Sequence, residues 1–105
     1  NLGNWGVIYR DSITVSNLGS TPKTVTYNVA GLALNSESAY SAMAFRVIDM
    51  NGKVLKTFSK SLTAKDSTVQ VCDLTIKPQK AASLTVESVL CGNSYGMIKR
   101  YVTAK

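Results

Sequence analysis

The sequence predicts an all-β chain folded as a two-sheet antiparallel β-sandwich of about seven strands. Three observations carry this reading. Apolar and β-branched residues recur with a period of two, the spacing that sends alternate side chains to opposite faces of a strand. Turn residues interrupt these runs at the rhythm of sandwich strands. No segment shows the strand–helix–strand alternation that a parallel sheet needs.

The first strand is read over residues 6–16. Val7, Tyr9, Ile13 and Val15 share one parity, and Asp11 breaks the row. That break implies an edge position or a bulge near Arg10 and Asp11. Asn17, Gly19 and Pro22 then supply turn chemistry before a second strand over 23–34. There Val25, Tyr27 and Val29 alternate with Thr24, Thr26 and Asn28, which implies one buried and one solvated face. Ser36, Glu37, Ala39 and Ala42 permit one short helical turn before the third strand.

The third strand, 42–49, alternates Met43, Phe45 and Val47 with Ala44, Arg46 and Ile48. Asn51-Gly52 follows, the strongest hairpin signal in the chain, and it predicts a type I′ turn into a fourth strand over 53–59. The fifth, 67–76, alternates Val69 and Val71 against Gln70 and Cys72, and Pro78 ends it. In the sixth, 82–91, the parity changes between Leu84/Val86 and Val89/Cys91, which implies a bulge or twist near Ser88. The seventh, 96–103, carries Met97, Ile98, Tyr101 and Val102.

A length of 105 residues suits one domain, 1–105, with a single core. No uncharged stretch is both long and apolar enough for a membrane span, so no transmembrane segment is expected. The chain opens at Asn1 without a basic region and apolar core of a leader, which reads as a mature product or a domain of a longer protein. Twelve basic residues against six acidic ones give a net charge of +6 and favour anionic surfaces. The cations are scattered, with Lys53, Lys56, Lys60 and Lys65 the densest set. That is not the basic run of a specific nucleic-acid site. Cys72 and Cys91 permit one disulfide or two reduced thiols. If bonded, their loop of about twenty residues contributes about 3 kcal/mol in the chain-entropy picture.

Histidine is absent, which removes Ser-His-Asp and Cys-His catalysis and the commonest metal ligand. Two cysteines without histidine do not complete a zinc site, so no metal and no cofactor is expected. The acids, Asp11, Glu37, Asp49, Asp66, Asp73 and Glu87, show no paired spacing. Ser20 and Lys23 fit the S-x-x-K pattern of serine acyl-transfer enzymes, but its companion motifs are missing and a strand follows Lys23. An extended chain does not bring i and i+3 together on one face, so the stretch reads as a turn. Asp49 to Gly52 resembles the opening of a calcium loop without the glutamate that closes one. Trp5, between Gly3 and Gly6, is read as a plug over one end of the core or as a sugar-stacking platform.

The stretch from Ile13 to Val29 resembles the first hairpin of immunoglobulin-like and fibronectin-III-like modules of bacterial extracellular proteins. Asn4 to Tyr9 is similar to the start of sandwich domains in secreted or wall-attached proteins, including those beside copper-amine-oxidase-like N-terminal domains. The resemblance covers about the first thirty residues, and it implies an immunoglobulin-like sandwich outside the cytoplasm with no shared catalytic residues. The expected function is a non-catalytic structural or interaction module of a larger bacterial surface or secreted protein, in contact with neighbouring domains. The alternative is a module that binds carbohydrate or anionic wall polymer, with Trp5, Lys53, Lys56 and Lys60 as its binding residues.

Overall fold

In a computed structural model, which describes residues 8–32, 40–90 and 98–105, β-branched and alternating segments form seven strands. These are β1 (Ile8–Asn17), β2 (Lys23–Gly31), β3 (Tyr40–Ile48), β4 (Val54–Thr63), β5 (Thr68–Ile76), β6 (Lys80–Leu90) and β7 (Ile98–Ala104). They make two antiparallel sheets, β1-β6-β3-β4 and β5-β2-β7. The sandwich is therefore as the periodicity predicts. Residues 33–39, where a helical turn was expected, lie outside the described residues, and Tyr40 to Met43 belong to β3.

The central pairings β2–β5 and β3–β6 are those of an immunoglobulin-like sandwich. The remaining three strands depart from its constant-type order: β1 lies beside β6, β7 beside β2, and β4 beside β3 instead of β5. The connection from β1 to β2 is thus a crossing between sheets and not a hairpin, which corrects the reading of Ile13 to Val29. Ser20 sits in that exposed connection and Lys23 begins β2, so no helix holds the pair together.

The two sheets share one core of Tyr27, Val29, Met43, Phe45, Val47, Leu62, Val71, Leu84, Val86 and Leu90. Phe45 and Phe58 stack across the β3–β4 pair with ring centroids 5.0 Å apart. Three details differ from the sequence pattern. Thr26 and Asn28 are only 4% and 5% exposed. As the centre of its sheet, β2 is covered on its outer face by bonded neighbours: Thr26 donates to Asp73 at 2.7 Å and Asn28 to Thr103 at 3.0 Å. Of the two explanations for the break at Asp11, the edge position holds: β1 is an edge strand, paired without a register shift from Ile8 to Asn17.

β6 also keeps its register through Ser88. Ser88 is a buried inward residue that accepts from Arg100 at 3.1 Å, and Val89 faces outward. The bulge instead lies in β5, where Tyr27 pairs with Cys72 but Asn28 pairs with Gln70. Val71 is the extra residue, so both Val71 and Cys72 reach the core. That is why the alternation of Val71 against Cys72 fails.

Two of the connections that change sheets, β1 to β2 and β5 to β6, are tied together. Asn17 donates to the carbonyls of Thr21 at 2.8 Å and Ile76 at 3.0 Å, and its Oδ1 accepts the Gly19 amide at 2.9 Å. The β5–β6 turn is closed by the Lys80 amide on the Lys77 carbonyl, with Pro78 second and Gln79 at φ 60°. A left-handed residue in the third place follows the type II pattern, which ordinarily takes glycine. Here the Gln79 amide donates to the carbonyls of Leu18 at 2.7 Å and Gly19 at 3.0 Å, bonds that glycine cannot make.

Candidate functional site

The residues singled out in the sequence do not converge. Trp5 and Cys91 lie outside the described residues. Lys53 is exposed just past the β3–β4 turn. Lys56 and Lys60 stand on β4, an edge strand, at the margin facing the other sheet. Lys56 donates to the carbonyl of Val71 at 2.9 Å, and its ammonium lies 4.9 Å from the centre of the Phe58 ring. It therefore caps the bulged carbonyl of β5 and ties the two sheets at their open side. Lys60 forms an ion pair with Asp66 of the β4–β5 turn. Edge lysines of this kind also keep strand edges from pairing with other chains.

Cys72 carries a free, half-buried thiol, and burial raises its pKa above the ordinary 9.0. β5 and β6, the strands that carry Cys72 and lead to Cys91, belong to different sheets. They are not the adjacent pair that the strand order in sequence suggests.

Asp49 is a turn residue. Its Oδ1 accepts the amides of Asn51 and Lys53, both at 2.9 Å, and its carbonyl accepts the Gly52 amide at 3.1 Å. Only Gly52 of the pair has positive φ, at 84°. The connection is therefore a three-residue loop with a left-handed glycine, not the type I′ turn expected from Asn51-Gly52.

The most organised group of side chains lies on the outer face of the four-stranded sheet. Register places Arg10 of β1 and Arg46 of β3 on either side of Glu87 of β6. Arg10 donates to Oε2 of Glu87 from Nε at 2.8 Å and from Nη2 at 2.5 Å. Arg46 donates from Nε to Oε1 at 2.6 Å, and its Nη2 pairs with the same oxygen. Glu87 is only 4% exposed, while both arginines are exposed. The arginine hydrogen bonds, that of Arg10 first, hold the carboxyl below its ordinary 4.5. The guanidiniums cover the carboxylate, and the triad keeps a net charge of +1. Beside it lies a shallow depression of about 280 Å³ whose apolar lining includes Ile8, Ala44 and Val89, and which Thr57 also lines.

Sequence reasoning passed over this triad, although a signal was present. Glu87 is an isolated acid inside an apolar strand, and two of the three arginines fall within neighbouring strand segments. The third, Arg100, is likewise structural: it stacks over Tyr9 at 5.1 Å and donates to Ser88. Every described carboxylate has a structural partner: Asp11 with Tyr27, Asp49 with its turn, Asp66 with Lys60, Asp73 with Thr26 and Lys105, and Glu87 with its arginines. Of the described aromatics, Tyr9 shares the inward parity of Ser88, while Tyr101 shares the outward parity of Asn28. The two therefore do not line one groove.

Among the described residues no helix is long and apolar enough to cross a membrane, and no three His, Cys, Asp or Glu side chains cluster as metal ligands do. No family model matches the chain, and no curated protein or solved structure matches it.

Proposed function

We propose that the chain is a non-catalytic structural and interaction module of a larger bacterial surface or secreted protein. Its contact surface for a neighbouring domain is the outer face of the four-stranded sheet. The observation that carries this is the pairing of an open apolar depression at Ile8, Ala44 and Val89 with the ion-paired Arg10–Glu87–Arg46 ladder. A sheet face that sets a small apolar depression beside paired charges has the mixed composition of a domain–domain contact. The commitment of each described carboxylate to a structural partner supports a non-catalytic role. An extracellular setting rests on the similarity of Asn4 to Tyr9 to the start of sandwich domains in secreted proteins.

The alternative, a wall-polymer or carbohydrate module, has less support. Lys60 is neutralised by Asp66, and Lys56 is turned toward Val71.

The test is thermodynamic. A domain that docks on this face unfolds at a higher temperature inside its parent protein than alone, because binding to the folded state stabilises it. Ala44→Arg, on the outer face, should leave the melting temperature of the isolated chain unchanged and abolish the increment in the parent. Identical melting in both settings, or an increment that survives Ala44→Arg, overturns the reading.

A further inference from the structure

The tip of the β3–β4 hairpin has an unusual surface. Met50 is 74% exposed, Val54 46% and Leu55 52%. An unbulged strand sends successive residues to opposite faces, yet Val54 and Leu55 are both exposed. The cause is a register shift: Ile48 pairs with Val54 while Val47 pairs with Lys56, so Leu55 is an extra residue. Bulges re-aim side chains in this way. Ile48 lies directly across from Val54 and extends the apolar surface.

The charges around the tip are mostly cationic. Lys53 and Lys56 flank Val54 and Leu55 in sequence, while Arg46, two residues before Ile48, is committed to Glu87. Lys56 spends one hydrogen on the Val71 carbonyl, and an ammonium has three. The one acid in the hairpin loop, Asp49, points its carboxylate back at the amides of Asn51 and Lys53. The tip thus combines a projecting apolar end with the flanking ammoniums of Lys53 and Lys56, on a chain whose net charge is +6.

We propose that the β3–β4 hairpin tip is an interfacial anchor that seats Met50, Val54 and Leu55 at the headgroup boundary of an anionic lipid surface. Apolar side chains enter the boundary region, and lysines extend their ammoniums to the headgroups. Charge complementarity selects an anionic surface over a neutral one. The inference goes beyond the docking face proposed above. It uses the hairpin end of the sheet and not the depression at Ile8 and Val89.

The experiment is flotation of the chain with vesicles of phosphatidylcholine alone and of phosphatidylcholine mixed with phosphatidylglycerol. Binding is expected only to the anionic vesicles, and it should weaken as salt is added. Met50→Ser and Leu55→Ser should each lower the partition coefficient about tenfold. Lys53→Gln should lower it about fivefold. Leu18→Ser, an exposed leucine in the β1–β2 connection, should change nothing. All four positions are exposed, and far-ultraviolet circular dichroism checks that the variants fold. Absence of flotation overturns the proposal. So does salt-sensitive binding that Met50→Ser and Leu55→Ser leave intact, since the scattered lysines would then suffice. If instead the tip variants alter the oligomeric state without any lipid effect, the tip is a contact between copies and the proposal fails.

Discussion

The Tyr27 hydroxyl of β2 donates to the Asp11 carboxylate of β1 at 2.8 Å, a bond that joins the two sheets. It explains why an acid interrupts the inward row of β1: Asp11 is there to receive a buried phenol. Burial first, then Asp11, raises the Tyr27 pKa above its ordinary 10.0. Burial also raises that of Cys72. A group with a raised folded pKa ionises first in the unfolded chain. Stability is therefore full below about pH 9 and falls as pH rises through 9 and 10 toward the folded values. Tyr27→Phe should cost about 2 kcal/mol at neutral pH, the worth of a hydrogen bond to a charged acceptor. It should also flatten the alkaline limb of urea-derived stability against pH. An alkaline limb unchanged by Tyr27→Phe would show that the phenol is not responsible.

Asn17 ties the β1–β2 connection to the end of β5 through three hydrogen bonds. Asn17→Ala should destabilise the chain by about 3 kcal/mol, about 1 kcal/mol for each bond. Asn17→Asp should be worse, because a carboxylate would face the carbonyls of Thr21 and Ile76 without a donor. Chemical denaturation of the two variants gives the order, and an aspartate variant as stable as the parent chain would contradict it.

Gly52 has φ 84°, and a Cβ added there meets nothing within 4 Å. Gly52→Ala therefore isolates backbone strain from crowding. The expected loss is about 1–2 kcal/mol, the cost of a left-handed conformation for a side-chain-bearing residue. Gly52→Asn should recover part of it, since asparagine tolerates this region better. Equal stability of the alanine variant and the parent chain would mean that the loop relaxes out of this conformation.

These residues show what could be read from the sequence. The seven strands were legible because Met43, Phe45, Val47, Val25 and Val29 repeat with the pleat. The Asn51-Gly52 signal located a hairpin, although Asp49 capping selected a different loop. Sheet membership was not legible: nothing local says that β1 pairs with β6 across the length of the chain, or that Asn17 and Gln79 will clamp two crossings together. The bulges at Val71 and Leu55 were hidden for the same reason, since a bulge is defined by its partner strand. Glu87 was the largest omission. A lone carboxylate has no motif, and its two arginines are 77 and 41 residues away.

Glu87 also sets an acid dependence. Its folded pKa lies below the ordinary 4.5, held there first by the Arg10 hydrogen bonds and then by Arg46. Its contribution to stability is thus fully present above about pH 4.5 and is lost as pH falls through the depressed folded value. Glu87→Gln removes the charge, and its amide group turns a donor toward a guanidinium that is also a donor. The variant should melt below the parent chain at pH 7, and the gap should narrow steadily as the pH is lowered beneath 4.5. Pairing Arg10→Gln with Glu87→Gln in a double-mutant cycle should show strong coupling, since each acts through the other. A cycle on two exposed, unconnected residues shows none. Melting curves of Glu87→Gln that run parallel to those of the parent chain from neutral to acid pH would mean that the carboxylate carries no differential protonation. The triad would then be packing rather than electrostatics.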